Sequence, residues 1–182
     1  MFRYIVFILG TICIGTFSRR SLFRPRSHGF YRFIAWELLL AMFLLNVTRW
    51  FEHPFAWNQI LSWAFLFLSL YLVIEGVILL RKIGQQTQER QDVALHGWEK
   101  TSQLVTVGLY KYIRHPLYSS LLFLGWGIYL KSPSWYDFGL VFLVTGFLTL
   151  TARVEEVENI NYFGEEYRVY QNHTKMFIPY LF

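Results

Sequence analysis

The stretch that decides the fold is residues 57–80, which read WNQILSWAFLFLSLYLVIEGVILL. Glu75 is its only charged residue. A helix needs roughly 20 apolar residues to cross a hydrocarbon core about 30 Å thick, and this stretch is long enough. It therefore predicts a transmembrane helix.

Four further apolar runs flank this stretch, at residues 2–17, 30–50, 116–130 and 135–152; the first and third of these are short. The chain is 54% hydrophobic and only 16% charged, and its charges fall between the runs. Soluble domains of this size do not have that distribution. The sequence predicts an all-α polytopic membrane helix bundle of about five transmembrane helices. Residues 1–182 form one domain, and loop 81–115 and tail 153–182 form a cap.

Lysine and arginine are placed asymmetrically about these spans. In membrane proteins the cytoplasmic loops and ends near the spans carry the excess of positive charge. With the amino terminus outside, 14 of the 17 basic residues fall inside, and Arg3, Arg49 and Lys131 fall outside. The sequence thus predicts a multi-pass protein with a cytoplasmic cap. The inner set is Arg19, Arg20, Arg24, Arg26, Arg32, Arg81, Lys82, Arg90, Lys100, Lys111, Arg114, Arg153, Arg168 and Lys175.

Composition and charge also argue against a cleaved first segment and against several classes of function. A cleaved signal peptide is an alternative for the first span, but the lone Arg3 and the lack of a small-x-small site before Ser18 disfavour it. The net charge of +5 indicates topology and contact with anionic lipid, not nucleic acid. The single cysteine, Cys13, excludes a disulfide framework, and the five histidines show no ligand spacing. We therefore expect no metal site.

A short connection brings two distant parts of the sequence together. Only residues 131–134 join the last two spans, so these must form an antiparallel hairpin. Gly108 predicts a turn, and Pro116 suits the first turn of a helix. The start of the fourth span and the end of the fifth then lie at one membrane boundary.

Acidic residues at this boundary carry the chemical signal. Glu155 and Glu156 can bind an ammonium group or ribose hydroxyls, and a helix beginning at Pro116 favours an anion at its N-terminus. Taken singly, solvated interface charge and an ordinary helix start remain alternatives. Glu37 and Glu75 lie inside spans, where they either face a polar cavity or pair locally. In the tail, an aromatic stripe that includes Phe163, Tyr167 and Tyr170 predicts an interfacial anchor.

Three blocks in the last 80 residues or so resemble the integral membrane methyltransferases that include isoprenylcysteine carboxyl methyltransferase and the phospholipid methyltransferases. The blocks are LVTVGLYKYIRHPLY at 104–118, the acidic pair at 155–156, and FGEEYRVY at 163–170 followed by FIP at 177–179. Their order and spacing are more specific than any one block.

The resemblance implies an S-adenosyl-L-methionine site in the cap and methyl transfer to a lipophilic acceptor taken from the bilayer. It assigns catalytic roles to Arg153 and Glu156. Thr151 stands where the carboxyl methyltransferases carry a substrate-orienting arginine, so the acceptor stays open. Cofactor-binding residues, carried over by position, are Gln103, Leu104, Val105, Gly108, Tyr110, His115, Pro116, Leu117, Tyr118, Glu155 and Glu156.

Two other functions remain as alternatives. Sterol reductases have a similar aromatic tail that closes in Ile-Pro-Tyr, which suggests an NADPH-dependent membrane reductase. A non-catalytic membrane scaffold is the third possibility. Membrane lipids are expected partners in every case, and the sequence specifies no oligomeric state.

Overall fold

The computed structural model describes residues 1–85 and 100–181. Six α-helices occur in these ranges, and no strand does. The described residues exclude 86–99 of the predicted loop, a range that contains Arg90, and Phe182 of the tail. The helices are α1 Phe2–Leu22, α2 His28–Asn46, α3 Trp57–Ile83, α4 Pro116–Lys131, α5 Trp135–Phe163 and α6 Glu165–His173, with short 3-10 helices at Val47–Arg49 and Gly108–Lys111.

The predicted all-α bundle is confirmed, with every predicted span present as a helix. In the described residues, α1, α2, α3 and α5 are long and apolar enough to cross a membrane. α4 has 16 residues and a length of about 24 Å, which is less than the hydrocarbon thickness. The short helix places the start of α4 near the level at which polar residues appear on α5.

α5 extends beyond the predicted fifth span. The fifth span was expected to end at residue 152, but α5 continues to Phe163. Its last turns are polar and still helical, and the helix ends at Gly164, whose φ of 65° only glycine adopts readily. The acidic pair and the residues after it are therefore presented from a rigid helix.

Packing is closest between α3 and α4 and between α2 and α5, with α1 against α2 at the edge of the bundle. At Gly127 of α4, a Cβ atom would lie 2.9 Å from Cδ2 of Leu66 on α3, so the absence of a side chain lets these helices pack closely. The Gly127 carbonyl also accepts a 2.6 Å hydrogen bond from Ser62. The central core is shared by α2, α4 and α5, and includes Leu39, Met42, Leu122, Val144 and Leu148.

The two acidic residues inside the spans have different surroundings. Glu37 of α2 accepts a 2.7 Å hydrogen bond from Thr11 of α1, so one of its two oxygens is bonded across the α1–α2 contact. Glu75 is partly exposed on α3. Neither lines the cleft described next.

Candidate functional site

A cleft opens where the start of α4, the end of α5 and α6 meet. Its empty volume is about 650 Å³, a figure that includes space open to solvent. The lining combines aromatic and aliphatic side chains with a few polar groups: Leu80, Thr101, Leu104, Val105, Tyr110, Arg114, His115, Pro116, Leu117, Tyr118, Glu155, Asn159, Phe163, Tyr167 and Tyr170.

The predicted hairpin forms the centre of this cleft. α4 begins at Pro116, as predicted, with His115 as its N-cap residue. Tyr118, one turn in, donates a hydrogen bond to Glu155 of α5. The His115 ring stacks on Tyr118, with 5.5 Å between ring centroids. The two ends of the hairpin therefore meet directly, as the sequence predicted.

Glu156 faces a different set of partners. Consecutive residues on a helix point about 100° apart, and Glu156 turns away from the cleft lining. Its carboxylate accepts a 2.6 Å hydrogen bond from Arg114 Nε and a 3.0 Å bond from Gln171. His115 Nε2 lies 3.4 Å from the same carboxylate. Since the Arg114 and Glu156 side chains are each only 9% exposed, this is a buried ion pair.

The same arginine ties the C-terminal segment to the start of α4. Arg114 donates side-chain hydrogen bonds to the carbonyls of Gln171 and Thr174, and its backbone N–H donates to the Lys175 carbonyl at 2.8 Å. Lys175 in turn donates to the Tyr112 carbonyl at 3.0 Å. These bonds hold α6 and the tail against the start of α4.

Two tyrosines of α6 form a wall of the cleft. Tyr167 is 2% exposed and Tyr170 is 8% exposed, and the Tyr170 hydroxyl donates to the Tyr110 carbonyl at 2.7 Å. Burial raises the pKa of both phenols well above the ordinary value, so both stay protonated in the working pH range. The prediction that this aromatic stripe is an interfacial anchor is wrong for these two rings.

Eight of the predicted cofactor residues line the cleft: Leu104, Val105, Tyr110, His115, Pro116, Leu117, Tyr118 and Glu155. Gln103 and Gly108 are exposed and lie outside the lining, as does buried Glu156. Gly108 has the predicted positive φ, at 61°. Its backbone packs against Leu79, whose Cδ1 would lie 2.7 Å from an added Cβ.

Arg153 is exposed and also lies outside the cleft lining. Thr151, half a helical turn away, is fully buried. The predicted catalytic roles of Arg153 and Glu156 stay predictions.

Sequence reasoning missed Asn159 and Phe163 as cleft residues. They follow Glu155 at intervals of four residues and so lie on the same helix face. This spacing was visible in the sequence, but residues from 153 onward were predicted as a tail of the cap and not as a continuation of the fifth helix. Asn159 also makes a side-chain hydrogen bond with Tyr167, which links α5 to α6.

The fold and cleft define a membrane-embedded helical protein with a ligand pocket at one end. Comparison with known proteins gives its class: the family model for phospholipid methyltransferases matches residues 57–166. The chain belongs to this family. It is 35% identical over 75 residues to a methanethiol S-methyltransferase of Pseudomonas deceptionensis, a match that covers 40% of this chain and 27% of that protein. The chain thus matches about a quarter of its curated relative's length. No solved structure gives a significant match.

Proposed function

We propose that the protein transfers the methyl group of S-adenosyl-L-methionine to a lipophilic acceptor that enters from the bilayer. The observation that carries the proposal is the position of Glu155. Its carboxylate lies in the cleft, bonded to Tyr118 at the N-terminal turn of α4. An acidic group and a helix N-terminus therefore face one space.

The residues present fit a zwitterionic sulfonium nucleoside. Glu155 suits the cationic amino group or the sulfonium, because a carboxylate pairs favourably with either cation. First-turn amides, such as that of Leu117, suit a carboxylate because the helix itself leaves them without partners. The rings of Phe163, Tyr167 and Tyr170 suit a purine face. When bound, this cofactor would supply an electrophilic methyl group.

The protein's own contribution is then positioning and exclusion of water. Methyl transfer needs no covalent nucleophile, and correct alignment of donor and acceptor in a dry site can account for about 7 to 11 kcal/mol of the barrier. Arg114 holds α6, which forms one wall of the cleft, against the start of α4. Glu156 pairs with Arg114 and is not itself part of the cleft lining.

The class of acceptor is proposed from the names of the family and of the similar protein. The family is named for phospholipids, and the matched relative for methanethiol. Both suggest a nucleophile that partitions into or near apolar surroundings. The apolar bundle below the cleft provides such surroundings.

Binding in the absence of an acceptor tests the cofactor. Purified protein in lipid nanodiscs is titrated calorimetrically with S-adenosyl-L-methionine and, separately, with NADPH. We expect saturable binding of the first only. Glu155→Gln should weaken binding at least tenfold, because an ion pair and a hydrogen bond are lost. Glu165→Gln, on the exposed start of α6, is the matched control. Binding of NADPH alone would support the reductase alternative, and equal affinity in the two variants would contradict the proposed site.

We also propose that the cleft faces the cytoplasm, because 14 of 17 basic residues fall on its side of the predicted topology. The protein has one cysteine, Cys13, so a Cys13→Ser background permits site-specific labelling. Gln103→Cys, exposed beside the cleft, should react with a membrane-impermeant maleimide in inside-out vesicles only. Reaction in right-side-out vesicles would reverse the assignment.

A further inference from the structure

The imidazole of His115 connects the cleft to the buried ion pair outside it. His115 lines the cleft, and its side chain is only 3% exposed. Its ring lies between two others: it stacks on Tyr118 at 5.5 Å between centroids and meets the edge of Phe177 at 6.3 Å. The Ser119 hydroxyl donates to the Phe177 carbonyl at 2.8 Å, which ties the tail to α4. The orientation of the imidazole is therefore fixed by packing.

One nitrogen of this ring faces a carboxylate that is not part of the cleft lining. Nε2 of His115 is buried and lies 3.4 Å from Oε1 of Glu156, a separation longer than a well-formed hydrogen bond. No hydrogen-bond partner of Nε2 occurs in residues 1–85 and 100–181. A carboxylate oxygen only accepts, so a lone pair on Nε2 would face a second acceptor, whereas a proton there faces a negative charge. The contact therefore favours the ring that carries its proton on Nε2.

The carboxylate of Glu156 is itself held in place by other partners. Arg114 Nε donates to the same oxygen, Oε1, at 2.6 Å, and Gln171 donates to the other oxygen at 3.0 Å. Glu156 is only 7% exposed. Because the guanidinium of arginine is always charged, its buried partner is kept in the ionised form. Glu156 thus presents a fixed negative charge to His115.

We propose that Glu156 is a positioning residue: it holds the His115 proton on Nε2, so that Nδ1 presents a lone pair to an N–H or O–H group of a ligand in the cleft. In a neutral imidazole, one nitrogen is the donor and the other is the acceptor. The inference rests on the proposed function, in which the ammonium group and the ribose hydroxyls of the cofactor are such donors. It differs from the predicted catalytic role of Glu156, because the carboxylate acts through His115 and touches no ligand.

The position of the proton can be measured directly. The full chain, with ¹⁵N-labelled histidine, is reconstituted in nanodiscs at about pH 8, where an ordinary imidazole is neutral. The His115 signals are assigned by their loss in His115→Gln, or by elimination with single variants of the other four histidines.

We expect the single proton on Nε2 in the wild-type protein and more rings with the proton on Nδ1 in Glu156→Gln, whose amide can donate to Nε2. Addition of S-adenosyl-L-methionine should move the Nδ1 signal of the wild-type protein. A wild-type ring that is protonated on Nδ1 or on both nitrogens would overturn the proposal. The same proton position in wild type and Glu156→Gln would also overturn it.

Calorimetric titration measures the consequence for binding. Glu156→Gln should weaken binding of S-adenosyl-L-methionine about tenfold, since a buried hydrogen bond to the ligand is lost. 5′-Methylthioadenosine keeps the ribose hydroxyls and lacks the ammonium group. A similar loss with this second ligand assigns the donor to the ribose, and a loss with S-adenosyl-L-methionine alone assigns it to the ammonium group. Unchanged affinity for both ligands would contradict the proposal.

Gln171→Met is the matched control. It removes the hydrogen bond to the other oxygen of Glu156 and leaves Oε1 facing His115. We expect its affinity for S-adenosyl-L-methionine to stay within twofold of the wild-type value. If Gln171→Met and Glu156→Gln lose affinity equally, the cause is loosening of α6 and not the His115 proton, and the proposal is refuted.

The outcomes separate the two proposals. If wild-type protein binds neither ligand, the proposed function fails, while the proton position in wild type and Glu156→Gln still tests the link between Glu156 and His115. If wild-type protein binds S-adenosyl-L-methionine and Glu156→Gln matches it in affinity and in proton position, only the role of Glu156 is refuted.

Discussion

Replacing Glu156 with alanine is expected to lower the free energy of unfolding by about 3 to 5 kcal/mol, the usual effect of breaking a buried ion pair from one side. The magnitude follows from the structure. Glu156 accepts hydrogen bonds from Arg114 and Gln171, and its removal leaves the Arg114 cation in a site where both side chains are 9% exposed.

The measurement is reversible unfolding in mixed micelles with increasing SDS, followed by tryptophan fluorescence and circular dichroism. Glu165→Ala is the matched control, because Glu165 pairs with Arg168 at 3.7 Å while the two side chains are 80% and 61% exposed. Exposed pairs of this kind contribute about 0 to 1 kcal/mol. The two variants remove the same group from neighbouring helices and differ chiefly in burial.

A double-mutant cycle with Arg114→Ala isolates the pair itself. Because the two residues are in contact, their effects should not add, and the double variant should be less destabilised than the sum of the single variants. Glu156 does not line the cleft, and we infer that it stabilises the cleft by pairing with Arg114. If Glu156→Ala destabilises the protein no more than Glu165→Ala does, this inference is refuted.

Four further predictions concern three residues of the chain. Gly108→Ala should lower the free energy of unfolding by about 1 to 3 kcal/mol, because a positive φ and a 2.7 Å approach to Leu79 both oppose a Cβ; thermal unfolding measures this. Tyr170→Phe should reduce stability by about 1 to 3 kcal/mol, since the buried Tyr110 carbonyl loses its donor, as SDS titration would show. Wild-type stability should be constant from neutral pH to about 9 and fall above about 10. Burial raises the pKa of Tyr170 in the folded state, so the unfolded chain releases this proton first as the pH rises. The stability of the Tyr170→Phe variant should fall less steeply over the same range. Lys131→Met should destabilise the protein by about 1 to 2 kcal/mol through loss of the ammonium 3.7 Å from the Trp63 ring centroid, without changing cofactor affinity by calorimetry.

The hairpin could be predicted from the sequence because its determinants are local. A connection of a few residues leaves α4 and α5 no option but to pack antiparallel, and Pro116 fixes where α4 begins. With both ends of the hairpin at one level, contact between Tyr118 and Glu155 follows.

The end of α5 could not be read from hydropathy alone. Apolar residues stop at the membrane boundary, but a helix stops only where the backbone is forced out of helical geometry. Here that residue is Gly164, with a φ of 65°. The predicted site left out Asn159 and Phe163, although their spacing from Glu155 was present in the sequence.

The contacts of α2 could not be predicted from the sequence for a different reason. His28 and Glu158 are 130 positions apart, and no spacing rule connects them. Only the packing of α2 on α5, which depends on the shape of the whole core, brings them together. The same holds for Arg114 and the tail carbonyls.

Glu155 lies at the junction between the two parts of this structure. Its bond to Tyr118 belongs to the segment that the family model covers, residues 57–166, whereas His28 and Arg32 face it from a helix outside that segment. A substitution in α2 can therefore change the surroundings of Glu155 while the contacts between α4 and α5 stay intact. A change in the first turn of α4 alters the cleft directly, because this turn forms part of its wall. If the proposed function is correct, we expect substitutions in the hairpin to weaken binding of the methyl donor more than substitutions in α2 do.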